Sequence, residues 1–346
     1  MSRAAVAGHV FKRVPMDLKA CIVGISGPEL TGAEIALLRA QRPLGVILFA
    51  RNVVDPAQLR ALTSHLARVL PPLAVTMVDQ EGGRVARLRP PHWPAHPPAA
   101  RLGRLHESDG PAGLRAAWLT GALIGLDAAE AGLEVVCAPV LDRAVPGAHD
   151  VIGDRAFAAD PDAVGEMGAA YAAGLLAAGV QPVAKHAPGH GRAGVDSHLS
   201  LPRLGAVWSD DLVPFMRCAH LPWMMTAHIV YEAQDPDRPA TLSPTIIDEV
   251  IRGAIGFDGL LVSDDLSMGA LSGPPAERAA AAVAAGCDLA LHCSGVLAET
   301  EAVLTACPAV SEATLQRLRS AVFLADRSRQ NLDRAAMADE RAALLA

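Results

Sequence analysis

Aromatic residues are scarce. Phe, Trp and Tyr together make up 3% of the 346 residues, so any ligand platform has few rings and must rely on polar contacts. Runs of one charge are missing as well. Thirty Lys and Arg stand against 37 Asp and Glu, a net charge of -7, and no segment is polybasic. That excludes the basic footprint of a nucleic-acid binder and an anchor for anionic lipid. No stretch of 18 apolar residues occurs, so no membrane span and no membrane partner are expected. The six cysteines (Cys21, Cys137, Cys218, Cys287, Cys293 and Cys307) form no C-x-x-C pair. Most sit in apolar runs and read as buried free thiols in a reducing compartment. Met1–Asp17 holds charges but no apolar h-region, so no signal peptide is expected and the cytoplasm follows as the location.

Against these absences stands a large apolar content. Hydrophobic residues are 51% and charged residues 19%, the mark of a globular chain. Short runs of Val, Ile and Leu recur, each followed by a longer Ala-rich stretch of helical character. Strands are expected at Ala20–Ile25, Gly45–Phe49, Ala74–Val78, Glu134–Val140, Val180–Ala184, Trp223–Ala227, Leu260–Ser263 and Leu289–His292. Helices are expected at Thr31–Gln41, Asp55–Leu70, Ala112–Ala131, Pro161–Ala178, Pro244–Ala254 and Pro275–Ala285. Ser243-Pro244 and Asp160-Pro161 supply a cap followed by proline. The strand runs are continuously apolar, as in parallel sheets covered on both faces. The alternation, over this length, predicts an α/β fold: one (β/α)8 TIM barrel spanning 1–346 as a single domain, its core over about residues 18–295. Further helices are expected over about residues 310–346. Pro90–Pro98 reads as a loop.

The strand ends concentrate titratable groups. The third runs into Asp79-Gln80-Glu81, the fourth into Asp142-Arg143, and the fifth into Lys185-His186. The sixth ends in His228, the seventh in Asp264-Asp265 and the eighth in His292. In a barrel these ends converge on one face, where active sites lie.

Two segments stand out. In Lys185-His186-Ala187-Pro188-Gly189-His190-Gly191, followed by Asp196-Ser197-His198, the glycines and proline make a turning loop. Asp196 and His198, two apart, project the same way from an extended chain. A carboxylate beside an imidazole fixes its tautomer and makes the ring a usable proton donor near neutral pH. The second segment delivers Ser263-Asp264-Asp265 to the barrel mouth. One of these residues can cap the next helix; a second carboxylate remains free to attack an electrophilic carbon.

These motifs resemble those of the glycoside hydrolase family 3 β-N-acetylhexosaminidases of the bacterial cell-wall-recycling type. The family pattern K-H-F-P-G-H-G, four residues, then D-[ST]-H fits with Ala187 in place of Phe. S-D-D-L-S-M matches Ser263–Met268, D-x-E-G-G-R-V-x-R matches Asp79–Arg87, and G-V-I-L-F-x-R-N matches Gly45–Asn52. Val151–Arg155 resembles a further family segment. The resemblance covers roughly residues 18 to 295.

It implies Asp264 as the nucleophile, His198 as the acid/base and Asp196 as the carboxylate that holds it. It implies Asp79, Arg87, Arg155, Lys185 and His186 as sugar-binding residues, with no metal or other cofactor. The implied reaction is a retaining, two-step removal of terminal β-linked N-acetylglucosamine, with N-acetylglucosaminyl-1,6-anhydro-N-acetylmuramic acid, with or without peptide, as the common substrate. A histidine acid/base departs from the usual carboxylate pair. Because it is neutral once deprotonated, an anionic acceptor meets less repulsion, so a phosphorylase is an alternative; a sugar-binding barrel without catalysis is another.

Several points stay open in the sequence. Asp265 orients or caps; Arg84 and Glu81 pair beneath the loop or do not; His228 and His292 read as core or supporting groups. Glu81 is the substitute acid should His198 only bind. Ala187 removes a ring beside Lys185-His186, which loosens the expected packing, and Cys293-Ser294 alters the pocket where the family often carries Asn. A metal-dependent amidohydrolase would want H-x-H on the first strand, which here reads Cys21-Ile22-Val23-Gly24-Ile25. A Schiff-base aldolase could use Lys185 but leaves the His-rich loop and Asp264 without a role.

Overall fold

The computed structural model describes residues 18–346; Met1–Asp17, where no leader is expected, lies outside the described residues. Its strands are β1 (Lys19–Gly24), β2 (Pro43–Leu48), β3 (Val75–Val78), β4 (Val135–Val136), β5 (Gln181–Ala187), β6 (Arg203–Leu204), β7 (Trp223–Thr226), β8 (Val230–Tyr231), β9 (Leu260–Asp265) and β10 (Leu289–His292). Eight of them close a parallel barrel in the order β1-β2-β3-β4-β5-β7-β9-β10, and β6 and β8 form a separate two-stranded ribbon. The expected (β/α)8 architecture is thus the one adopted. The helices are α1 (Gly32–Gln41), α2 (Pro56–Val69), α3 (Ala99–Ser108), α4 (Gly110–Glu130), α5 (Pro161–Ala177), α6 (Ser209–Arg217), α7 (Ile246–Ala254), α8 (Pro275–Ala284), α9 (Leu297–Ala306), α10 (Glu312–Ser328) and α11 (Arg334–Leu344).

The continuous apolar strands follow from burial on both faces. Ile22, Met77, Val183, Trp223, Val262 and Leu291 fill the barrel. Their neighbours Val23, Val78, Ala184, Met224, Leu261 and Ala290 pack against the helices, as the period-two alternation of a strand requires. Trp223, a large ring inside the barrel, has its N–H satisfied by Gln181 Oε1 at 2.8 Å. The chain after α9 returns to the barrel's N-terminal end. There the Ala20 N–H donates to Pro308 O, and Leu315 and Leu318 of α10 join the interior cluster. This end is therefore plugged with hydrocarbon, and the opposite end is left for chemistry.

The expected caps form. Asp160 Oδ1 accepts the Ala163 N–H at 2.8 Å, and Ser243 Oγ accepts the Ile246 N–H at 3.2 Å. Four regions differ from expectation. The strand expected over Glu134–Val140 shrinks to β4, because Pro139 has no N–H for the ladder. Helices α3 and α6 are additions to the expected set; α6 carries Pro214 in its interior, a residue that reads as a helix breaker. The segment expected as a helix over Pro244–Ala254 is helical from Pro244, but Ile246–Ala254 is wound as a π-helix. Among the described residues no helix is long and apolar enough to cross a membrane. All six cysteines are free and buried.

Candidate active site

At the C-terminal ends of the strands five charged side chains form one buried network. Asp79, just past β3, accepts from Lys185 Nζ at 2.8 Å and from Arg87 at 3.3 Å. Glu81 is gripped in a two-point bond by the Nε–Nη2 edge of the Arg155 guanidinium at 2.8 and 2.9 Å, and Lys185 Nζ lies 2.5 Å from its Oε1. Charges taken from water must be paired or they neutralise. Here Lys185, Arg87 and Arg155 balance Asp79, Glu81 and the nearby Asp264. Burial pushes the Asp79 carboxyl up, but Lys185 and Arg87 outweigh it and hold it well below the usual carboxylate range. Glu81 is lowered for the same reason, by Lys185 and Arg155 against burial. A carboxylate so held is a poor proton donor, which counts against Glu81 as the substitute acid.

Asp264 ends β9 beside Asp265, and the two divide their work. Asp265 accepts from the Ser267 N–H (2.9 Å), the Ser267 hydroxyl (2.6 Å) and the Cys293 N–H (3.0 Å). It closes the turn after β9 and ties β9 to β10, and it caps no helix, since α8 starts only at Pro275. Asp264 accepts one backbone bond, from Asp265 N at 2.8 Å. Burial raises the Asp264 carboxyl, yet His186, His228, that N–H and Lys185 together bring it below its ordinary value. It is an anion with lone pairs to spare, which is what a nucleophile at an anomeric carbon needs.

The imidazoles are set by carboxylates. His186 Nδ1 meets Asp142 Oδ2 at 2.6 Å, and Asp142 Oδ1 accepts the backbone N–H groups of His186 (3.3 Å) and His190 (2.6 Å). This pair is sealed: side-chain exposure is 0% for Asp142 and 7% for His186. The loop that follows turns at Gly189 (φ +136) and passes Arg143 so closely at Gly191 that a Cβ there would lie 2.3 Å from Arg143 O. The Tyr231 hydroxyl donates to Gly189 O, and Arg143 and Arg192 both grip Asp211. Farther along, Asp196 Oδ1 takes both the N–H and Nδ1 of His198, at 2.9 and 2.7 Å. With Nδ1 engaged, Nε2 is the free end of a ring that is 62% exposed. Burial slightly opposes ionisation of Asp196, but its bonds from His198 prevail and its carboxyl titrates below the usual range.

A cavity of about 320 Å³ opens at the barrel mouth. Asp79, Arg87, Arg155, Lys185, His186, His198 and Asp264 all line it, so seven of the eight residues singled out in the sequence meet in one place. Asp196 stands behind His198, on a neighbouring cleft it shares with Arg84 and His149. Arg84 does not pair with Glu81; it reaches Asp150 and Asp154 at 3.3 Å and braces the 150–155 loop. His228 is fully buried, between Thr241 Oγ1 (2.7 Å) and Asp265 O (3.0 Å), and His292 lies under Ser294. Both are supports. Ala187 is sealed in the helix-facing core, and Cys293 forms part of the cavity wall. Among the described residues no three His, Cys, Asp or Glu side chains are grouped as a metal ion would need. Asp142 and Ser197 received no role from the sequence, and His190 only that of shaping its loop. The signal for Asp142 was its place at a strand end, but nothing near residue 142 points to residue 186.

Comparison with known proteins bears on the family and the fold. Residues 29–323 match the glycosyl hydrolase family 3 N-terminal domain. A protein of Alkalilimnicola ehrlichii named beta-hexosaminidase is 44% identical over 288 residues, 81% of this chain and 82% of that protein. One of the same name from Pseudomonas aeruginosa is 39% identical over 280 residues, 79% of this chain and 82% of its own length. Among solved structures, NagZ from Neisseria gonorrhoeae in complex with N-trifluoroacetyl-D-glucosamine superposes with a TM-score of 0.85 at 30% identity, covering 96% of this chain and all of that one. The chain belongs to glycosyl hydrolase family 3.

Proposed function

We propose that this protein is a retaining exo-β-N-acetylglucosaminidase that removes terminal β-linked N-acetylglucosamine, with N-acetylglucosaminyl-1,6-anhydro-N-acetylmuramic acid and its peptides as the natural substrates. The observation that carries the reading is one cavity in which a nearly free carboxylate, Asp264, and a carboxylate-held imidazole, His198, share a wall with a buried set of sugar-type donors and acceptors. The beta-hexosaminidase relatives and the N-acyl glucosamine bound in the NagZ structure support the substrate class. The unbridged, buried cysteines fit action in the cytoplasm, and the barrel with its C-terminal helices acts as one catalytic domain.

In the first step His198 gives its Nε2 proton to the glycosidic oxygen while Asp264 attacks C1. The C1–O bond breaks, the aglycone leaves as an alcohol, and the sugar is held as an ester on Asp264. In the second step neutral His198 takes a proton from water, whose oxygen attacks C1 and displaces Asp264, restoring the β configuration. Asp79 accepts from sugar hydroxyls; Lys185, Arg87 and Arg155 donate to them; His186, oriented by Asp142, presents its free ring nitrogen.

The decisive experiment is an assay with a chromogenic β-N-acetylglucosaminide against a β-glucoside control, with wild type and Asp264→Asn. Turnover of the first substrate only, lost in the variant while the fold is retained, is expected. A fluorinated N-acetylglucosamine-type inactivator should label Asp264. Label on Asp265, or turnover with no enzyme adduct as in substrate-assisted acetamido catalysis, would overturn the assignment. Product analysis with and without phosphate identifies the acceptor; a sugar 1-phosphate would replace hydrolysis by phosphorolysis.

A further inference from the structure

The His190 ring lies in the cavity wall, 2% exposed, with Nε2 2.9 Å from Ser197 Oγ. Ser197 is equally buried and stands between Asp196 and His198. The loop around it is exposed: Leu199 is 79% in solvent and the His198 ring is more than half so. Ser197 is thus the point at which the segment carrying the Asp196–His198 pair reaches into the barrel mouth. On the other side His190 is fixed, because its N–H is held by Asp142, the carboxylate that also orients His186.

We propose that His190 is a positioning residue: through Ser197 it latches the loop so that His198 faces the glycosidic oxygen. This rests on the acid/base role proposed for His198. The ring chemistry supports a one-way latch. Burial pushes the His190 imidazole down to about 4, with Asp142 opposing, so the ring stays neutral across the neutral range. Its Nδ1 has no partner among the described residues. A bare buried acceptor costs less than a bare buried N–H, which puts the single proton on Nε2, donating to Ser197 Oγ. The side-chain ties of Gly189 and Arg192, to Tyr231 and Asp211, lie upstream of the pair, and next to it the tie to the rest of the fold is a backbone one, the Gly269 N–H donating to His198 O. They hold the chain but do not fix the direction of residues 196–198 relative to the sugar pocket.

The test uses the leaving group as a ruler. Ser197→Ala should lose about tenfold in kcat on a substrate with an alkoxide leaving group, the worth of one hydrogen bond, with KM little changed. Its glycosylation rate on a dinitrophenyl glycoside should stay at the wild-type level. Ser197→Thr, which keeps the hydroxyl, should restore the loss. His190→Phe should match Ser197→Ala, and the double variant should be no worse than either single one. Where His190→Phe does not fold, His190→Gln, which retains a donor at similar reach, should keep activity that His190→Ala loses. Equal losses on both substrates, no loss, or additive effects would overturn the latch. Wild-type-like Ser197→Ala beside a His198→Ala variant with leaving-group-dependent loss removes the latch and leaves the acid in place. Absence of that dependence in His198→Ala removes the acid assignment itself.

Discussion

Two Asp–His pairs at the barrel mouth, each joined through the ring Nδ1, have nearly the same geometry and opposite surroundings. Asp142–His186 is 2.6 Å long and sealed, on a barrel strand; Asp196–His198 is 2.7 Å long and half in water, on a loop. The sealed carboxylate also takes two backbone N–H groups, so its oxygens are committed to holding the ring and the loop. The exposed one takes a single residue's N–H and ring, and leaves the far side of that ring to solvent and substrate. Chemistry alone does not distinguish the pairs. Burial and attachment do: the first is suited to hold a ring still against a sugar, the second to exchange a proton twice per turnover.

Mutations should separate them. The largest expected effect is on the exposed pair: His198→Ala should lower cleavage of disaccharides by about 10²–10⁴-fold, the usual worth of a general acid. It should spare the first step with a dinitrophenyl glycoside, measured in the pre-steady state. Equal loss on both substrates would make His198 a binder like His186 and erase the contrast.

On stability the order reverses. Asp142→Ala leaves a buried imidazole and two N–H groups without their acceptor and should cost about 3–5 kcal/mol in urea unfolding. Asp196→Ala, on the loop surface, should stay within about 0.5 kcal/mol of wild type. In kinetics Asp196→Ala should give a weaker form of the His198→Ala pattern, about tenfold, since Asp196 orients the ring and does not touch the sugar. A stability loss in Asp196→Ala as large as in Asp142→Ala would show that the loop is part of the core.

The smallest effect is in the acid limb. Burial raises Asp142, but His186, His190 and the N–H of His190 bring it below its ordinary value. A carboxyl lowered in the folded state contributes stability that is present above its unfolded value and lost as pH falls through the folded one. Unfolding of wild type should therefore steepen below about pH 4. Asp142→Ala should flatten that limb. Asp196→Ala should change it less, because solvent screens its bonds. Identical limbs in the two variants would place the acid sensitivity elsewhere, with Asp79 and Glu81 next in line.

The two pairs also differ in how visible they are before folding. Asp196 and His198 are two residues apart, so their meeting is a local property of an extended segment, open to reading. Asp142 and His186 are 44 residues apart, and their meeting depends on β4 and β5 lying side by side, residue against residue. The same holds for the salt network. Asp79 and Lys185 are 106 residues apart, and Glu81 and Arg155 are 74 apart. Arg84 finds Asp150 and Asp154 only because the loop after β4 folds over the mouth.

What the chain determined by itself was everything set by neighbours within a few residues: the apolar strand runs, the Asp160 cap, the turn at Gly189–Gly191, and the delivery of polar groups to strand ends. Periodicity and local hydrogen bonding act over a few residues, so one sequence suffices to read them. What tertiary structure alone decided was partnership and burial. Whether Glu81 meets Arg84 or Arg155, whether a histidine is sealed or free, and which of Asp264 and Asp265 is spent on bracing the strand end all depend on strand register and barrel closure. Those are fixed by the packing of the whole core, in which many of a residue's neighbours in space are remote in sequence.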